Sequence, residues 1–109
     1  MTNQVSATSV FRVDKFAVPA EAMPAFLERL HWVDRVLGKM PGCLQNMVLT
    51  QSGATSEYNV TTIVEWEDAE AMAAAKARVQ ARYAEEGFDP PAFMQGLGVL
   101  ADMGLYRPS

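Results

Sequence analysis

The spacing of apolar residues changes several times along the chain, and each change predicts a different element. Apolar and polar residues alternate from 9 to 18, which predicts a first strand. From 20 to 37 the apolar residues recur every three or four positions, which predicts a helix. Pro24 suits the first turn of that helix, and Gly38 is expected to end it as a C-cap. The predicted apolar face consists of Met23, Phe26, Leu27, Leu30 and Leu37.

The middle of the chain repeats the passage from strand to helix. Strands are predicted at 43–51 and 57–67, joined as an antiparallel hairpin by the turn-forming residues 52–56. A second helix is predicted at 68–85, with Asp68 as its N-cap. A short turn of helix after Pro90-Pro91 and a last strand at 97–106 complete the pattern.

This order of elements predicts an α+β fold with a ferredoxin-like split β-α-β repeat. Right-handed crossovers of that order give a four-stranded antiparallel sheet with the helices on one face. The strand at 57–67 is apolar on both sides, so the open sheet face needs a cover. A second copy of the chain is the simplest cover, and we expect a homodimer through the open sheet face, forming a dimeric α/β barrel. Residues 1–8 are predicted to be a flexible N-terminus, and residues 9–109 to form one domain.

Composition narrows the classes of function. The net charge of -4 and the lack of a Lys/Arg run argue against nucleic acid as the main partner. Cys43 is the single cysteine, so no intrachain disulfide is possible, which suits a reducing compartment. The polar start lacks the features of a signal peptide, and no apolar run is long enough for a membrane span. We therefore expect a cytoplasmic protein without a membrane partner.

Three short passages resemble the antibiotic biosynthesis monooxygenase family, a group of dimeric α+β barrels. They are the WEDAEA sequence at 66–71, the Pro-Gly turn at 41–42 and the GFDP sequence at 87–90. The resemblance implies several activities. Some members are cofactor-free monooxygenases that act on aromatic polyketides such as anthrones, some bind and degrade heme, and others act on quinones or small signal molecules.

The chain departs from the residue sets of two branches of that family. The heme-degrading branch has an asparagine on the first strand and a tryptophan and a histidine in the second helix. Here the corresponding places hold Asp14 and Ala75, and no histidine follows His31. The polyketide-oxidising branch uses a strand residue four positions before the strand tryptophan and a tyrosine about six positions after it. Trp66 matches, while Thr62 and Met72 occupy the other two places.

Asp34 is the candidate that the apolar pattern does not explain. It lies inside the leucine stripe of the first predicted helix, where a carboxylate is either buried or beside a cavity. A desolvated carboxylate takes up a proton more readily, which suits a general base. His31, three residues earlier, could pair with it. Alternatively, Asp34 bonds Arg35 or the backbone near the helix end, and His31 is a surface or interface residue.

Three other residues each have a chemical and a structural interpretation, and a fourth has only a structural one. Trp66 either holds a planar substrate or anchors the second helix on the sheet. Tyr83 either offers its phenol to a substrate oxygen or packs in the core. Lys76 is either catalytic or extends from the apolar edge to solvent, and Cys43 is expected to be structural.

The resulting hypothesis is a cofactor-independent monooxygenase that acts on a small planar aromatic molecule. Asp34, His31 and Tyr83 are its predicted catalytic residues. The predicted substrate-binding residues are Trp66, Thr62, Met47, Met72, Phe93, Met94 and Met103. No cofactor and no metal are expected. A dimeric binding or regulatory module without activity is the alternative, with heme binding as a third option.

Overall fold

The computed structural model describes residues 7–109. The predicted flexible segment 1–8 lies outside the described residues except for Ala7 and Thr8, which belong to a turn. The elements are β1 (Val10–Ala17), a 3-10 turn (Ala20–Ala22), α1 (Met23–Gly38), β2 (Cys43–Thr50), β3 (Val60–Trp66), α2 (Ala69–Glu86), α3 (Pro90–Leu97) and β4 (Leu100–Tyr106).

The four strands form one antiparallel sheet in the order β2-β3-β1-β4. The two strands that precede the long helices, β1 and β3, are therefore neighbours at the centre. Their register places Asp14 opposite Thr62 and Arg12 opposite Val64. Paired residues share a sheet face, so these polar and apolar side chains lie on the face that the helices cover. The structure confirms the predicted ferredoxin-like α+β fold.

Side chains and glycines determine where the helices begin and end. The Asp68 carboxylate accepts a hydrogen bond of 2.8 Å from the Ala71 N–H, as expected for an N-cap, and α2 ends at Gly87 with a φ of 65°. The prediction for Gly38 was wrong: it is the last residue of α1, and Lys39 is the C-cap. A Cβ at position 38 would lie 3.2 Å from Asn46 Oδ1, so a close contact with β2 explains this glycine.

The apolar core is divided into two clusters at opposite ends of the sheet. The first contains Phe16, Phe26 and Val60, with Phe93 and Met94 packed against it. Its aromatic rings are in direct contact, with 5.0 Å between the Phe16 and Phe26 centroids and 6.4 Å between Phe26 and Phe93. The second cluster contains Val10, Val64, Trp66 and Ala75. The alanine-rich α2 packs against β3 through Ala75, whose small side chain allows a close approach.

The other sheet face is not covered by any described element. Its side chains include exposed apolar residues, with Leu49 44%, Leu100 69% and Tyr106 51% exposed. One carboxylate on this face is nevertheless buried, since Glu65 accepts hydrogen bonds of 2.7 Å from Ser9 Oγ and Gln45 Nε2. Within residues 7–109, none of the helices has both the length and the apolar character needed to cross a membrane.

Candidate active site

A cavity of about 660 Å³ lies between the covered face of the sheet and the helices. It borders both core clusters, because residues of each contribute to its walls. The sheet supplies the floor through Arg12, Asp14, Phe16, Val48, Thr62, Val64 and Trp66. The helices and the loop before α3 supply the walls through Leu30, Val33, Asp34, Leu37, Met72, Lys76, Val79, Gln80, Tyr83, Ala84, Phe88, Asp89, Pro90 and Pro91.

The floor of the cavity carries an ion pair on alternate positions of β1. Arg12 Nη2 lies 3.2 Å from Asp14 Oδ1, and both side chains are mostly buried. Arg12 Nε is also buried, and within residues 7–109 it has no hydrogen-bond partner. Thr62 lies opposite Asp14 in the sheet and brings a hydroxyl to the same part of the floor. A guanidinium, a carboxylate and a hydroxyl therefore converge in a largely apolar cavity.

Asp34 reaches the cavity from α1 and is held by a residue of β2. Asn46 Nδ2 donates to Asp34 Oδ1 at 2.8 Å and to the Asp34 carbonyl oxygen at 2.6 Å. This double contact fixes the carboxylate relative to the sheet and satisfies a carbonyl near the helix end. Burial raises the pKa of the nearby Cys43 thiol, and the negative charge of Asp34 raises that pKa further. The thiol is thus not activated, as the sequence indicates.

Tyr83 belongs to an aromatic group at the other end of the cavity. Its ring centroid lies 5.1 Å from that of Phe88 and 6.5 Å from that of Trp32. Arg29 packs against this group, with its guanidinium carbon 3.6 Å from the Phe88 centroid, and it forms an ion pair with Glu86 at 3.2 Å. Burial raises the Tyr83 pKa; Arg29 opposes the shift and Glu86 adds to it. The phenol therefore stays protonated and can donate a hydrogen bond into the cavity.

The cavity brings together half of the residues predicted for the site. Trp66, Thr62, Met72, Asp34 and Tyr83 all line it. His31 does not, because its side chain is exposed. The hydrogen bonds and ion pairs among residues 7–109 do not join it to Asp34. The predicted pairing is therefore absent from the described part of the chain, and the partner of Asp34 is Asn46.

The four remaining predicted pocket residues lie elsewhere. Met47 pairs with Ile63 and points to the open sheet face, because side chains alternate along a strand. Phe93 and Met94 face inward from α3 but pack on the cluster around Phe26. Met103 shares the covered face with Asp14, but β4 is an edge strand and this side chain is 51% exposed. Apolar character alone did not distinguish core, cavity and surface.

The sequence-based candidates did not include Arg12 or Asn46. Arg12 and Asp14 alternate with apolar residues on the same strand face as Phe16, so a charged pair on a buried face was a detectable signal. Asn46 had no such signal, because its role depends on the packing of α1 against β2.

The donor atoms of the cavity give little support for iron ligation. Among the described residues that line it, none offers an imidazole or a thiol, and the Tyr83 phenol favours its protonated form. Across residues 7–109, no group of three or more His, Cys, Asp or Glu side chains is arranged to hold a metal ion.

Comparison with solved structures shows the same fold in proteins of low sequence identity. A conserved protein from Methanosarcina mazei Go1 matches with a TM-score of 0.73, 17% identity, and coverage of 94% of this chain and 95% of that one. A point mutant of SnoaB, a cofactor-independent oxygenase from Streptomyces nogalater, matches with a TM-score of 0.67, 21% identity and 94% coverage of both chains. A point mutant of MhuD, with two manganese protoporphyrin IX molecules bound per active site, matches with a TM-score of 0.67, 21% identity, and coverage of 91% of this chain and 93% of that one.

Comparison with protein-family models identifies the family, whereas the structural matches show only the fold. No curated protein sequence matches the chain. The model for the antibiotic biosynthesis monooxygenase domain, however, matches residues 9–87, which include β1, both long helices and the strand that ends at Trp66. The chain therefore belongs to the antibiotic biosynthesis monooxygenase family.

Proposed function

We propose that the protein is a cofactor-independent monooxygenase acting on a small planar aromatic molecule, such as a phenol, a quinol or an anthrone-like polyketide. The observation that carries this proposal is the composition of the 660 Å³ cavity. A purely apolar cavity would favour ligand binding without catalysis. Here five polar side chains line one largely apolar cavity, namely Arg12, Asp14, Asp34, Thr62 and Tyr83. SnoaB, a cofactor-independent oxygenase of the same fold, supports the assignment.

The apolar walls suit a flat ring. Trp66 is 3% exposed at the end of β3, and Met72 faces the same space from α2. A ring against these side chains would lose contact with water, and its oxygen atoms would need hydrogen-bond donors. Thr62 and Tyr83 each offer a hydroxyl donor, and Arg12 offers a charged one. These donors also suit the negative charge that develops on the substrate oxygen.

The proposed reaction needs no electron source other than the substrate. The Asp34 carboxylate removes a proton from an acidic ring CH2 or phenol group. The resulting anion reduces O2 and forms a carbon–oxygen bond. One oxygen atom remains in the product as a ring carbonyl and the other leaves as water, so that a CH2 group and O2 give a C=O group and H2O. Asn46 positions the base through its hydrogen bond of 2.8 Å.

We also propose that two copies of the chain associate through the open sheet face. Leu49, Leu100 and Tyr106 are exposed on this face, and Met47 of β2 and its partner Ile63 of β3 lie on the same face. Exposed apolar side chains grouped on one sheet face favour an interface with another molecule. A symmetric dimer would bury the face of each copy against the other.

Replacing Asp34 with Asn tests the proposed base. The substitution keeps the shape of the side chain but removes its basicity. We expect oxygen uptake with an anthrone or hydroquinone to fall by about 10²–10⁴-fold, the usual contribution of a general base. Glu57→Gln is the control, since it also replaces a carboxylate with an amide, at an exposed position outside the strands and the cavity. Removing the Asp34 charge should also speed the reaction of Cys43 with a thiol reagent, which checks the geometry independently of turnover.

Three outcomes would change the proposal. Equal rates for Asp34→Asn and the wild type would remove Asp34 from the mechanism. Binding of the aromatic probe by the wild type without oxygen uptake would favour the non-enzymatic binding module. A Soret shift on addition of hemin would favour heme binding.

A further inference from the structure

A second concave surface lies on the outside of the helix pair. It is a groove of about 620 Å³ lined by Trp32, Arg35, Val36, Lys39 and Met40 of α1 and the segment after it, and by Arg78, Ala81 and Arg82 of α2. None of these residues lines the cavity on the inner side of the helices. The groove, which we call the basic groove, is therefore separate from the candidate active site.

The charge of the basic groove differs from that of the whole chain. The protein has a net charge of -4 and only nine Lys and Arg residues. Four of them, Arg35, Lys39, Arg78 and Arg82, line this groove, and no Asp or Glu is among its lining residues. Folding thus concentrates positive charge that is dispersed in the sequence, because two helices bring distant residues to one surface.

The positive charges of the basic groove lie at spacings where like charges repel each other, and a bound anion would offset this repulsion. Arg35 lies in the last turn of α1 and Lys39, four residues later, is its C-cap, while Arg78 and Arg82 are four residues apart on α2. Like charges at this spacing destabilise a helix. The ion pairs found within residues 7–109 join Arg12 to Asp14 and Arg29 to Glu86, so none of the four groove residues is neutralised in the described part of the chain.

Trp32 gives the basic groove a rigid wall. The indole is half-buried, and the Arg82 guanidinium carbon lies 5.0 Å from its ring centroid. This cation–π contact holds one of the four cations over the groove. A guanidinium held in this way loses less conformational freedom when it binds a phosphate oxygen.

We propose that the basic groove binds a small molecule with at least two phosphate groups, the chemistry shared by nucleoside diphosphates or triphosphates and free pyrophosphate. Arginine binds phosphate oxygens with two parallel hydrogen bonds, and three arginines and one lysine face this groove. The concave shape and the volume suit a small ligand rather than a macromolecule. The acidic net charge also opposes the long phosphate backbone of a nucleic acid.

Isothermal titration calorimetry of the full chain with ATP, AMP and pyrophosphate at low salt tests this proposal. We expect ATP and pyrophosphate to bind, AMP to bind more weakly, and all affinities to fall as salt rises. The double variant Arg35→Gln/Arg78→Gln should weaken binding of ATP and pyrophosphate by at least about tenfold, since each charge-assisted contact is lost. The double variant Lys15→Gln/Arg107→Gln is the control, because it makes the same change of net charge outside the groove.

The possible results separate the ligand sources from the alternatives. Tighter binding of ATP than of pyrophosphate assigns the site to a nucleotide, and equal binding assigns it to a free polyphosphate. The proposal is overturned if neither binds at about 1 mM, the weak end of specific affinity, or if the control variant weakens binding as much as the groove variant. It is also overturned if a DNA oligonucleotide binds more tightly than ATP and depends on the same two arginines.

Discussion

The two faces of the sheet consist of alternate residues of the same strands, but they differ in solvent exposure. On the covered face, Val60, Val64 and Trp66 of β3 are buried, and the polar groups of Arg12 and Asp14 lie among apolar neighbours. On the open face, apolar side chains of β2 and β4 are exposed to solvent. Successive residues of one strand therefore experience two different environments.

This difference distinguishes the candidate site on the covered face from the proposed interface on the open face. A buried polar group is costly unless it is paired or used, so the Arg12–Asp14 pair and the Asp34–Asn46 pair mark a place where chemistry is proposed. An exposed apolar group is also unfavourable, and a contiguous set of them marks a surface that another molecule covers. Each of the following predictions tests one side of this distinction.

The largest expected effect is the loss of a buried α1 ring that packs against the covered face. Phe26 is 2% exposed and contacts the rings of Phe16 and Phe93. Phe26→Ala should lower the free energy of unfolding by about 3–5 kcal/mol, because it removes apolar contacts and leaves a cavity. Leu100→Ala on the open face should lower the unfolding free energy of the monomer by less than about 1 kcal/mol. Urea denaturation measures both, and similar losses would remove the distinction between the faces.

The next effect concerns the association of two copies. Leu100→Asp places a charge on the open face and should weaken the proposed dimer by at least about 3 kcal/mol, the cost of burying an unpaired charge. Ala101→Asp is the matched control, since the next residue of β4 pairs with Phe16 and points to the opposite face. Sedimentation velocity at micromolar concentration measures the dimer fraction. A wild-type monomer, or equal effects of the two variants, would contradict the proposed interface.

The smallest effect concerns the aromatic wall of the cavity. Burial raises the Tyr83 pKa above its ordinary value near 10. The protonated phenol therefore contributes stability below that value, and the contribution is lost as pH rises through the higher pKa of the folded state. Arg29→Gln should raise the Tyr83 pKa further, because Arg29 lowers it in the wild type. Arg82→Gln is the control, because Arg82 is not among the groups that shift Tyr83.

Spectroscopic titration of the tyrosines measures this shift, with Tyr83→Phe identifying the Tyr83 signal. A lower Tyr83 pKa in Arg29→Gln would contradict the electrostatic role of Arg29. The slope of stability against pH above the ordinary tyrosine pKa should become smaller in Tyr83→Phe, and the raised pKa of Cys43 accounts for part of what remains.

Local patterns predicted the fold well because they depend on neighbours in sequence. Alternation in β1, the apolar stripe of α1 and the Asp68 cap of α2 each follow from residues a few positions apart. The predicted first residues of two strands were less accurate. The strand predicted from 57 begins at Val60, and the one predicted from 97 begins at Leu100, because α3 continues to Leu97 and Gly98 reverses the chain.

The candidate site was only partly predictable for the same reason. Asp34 was identified because a carboxylate is unusual within the apolar face of a helix, and Trp66 and Thr62 were identified from the family resemblance around the end of β3. Local patterns do not show that Met47 and Phe93 lie outside the cavity. Nor do they show that Asn46 contacts Asp34, or that Arg35 of α1 and Arg78 of α2 line the same groove. The order of amino acids specifies elements, faces and family through local periodicity and short motifs. Cavities, ion pairs and the basic groove arise when distant segments pack together, and their geometry depends on distances that no local pattern contains.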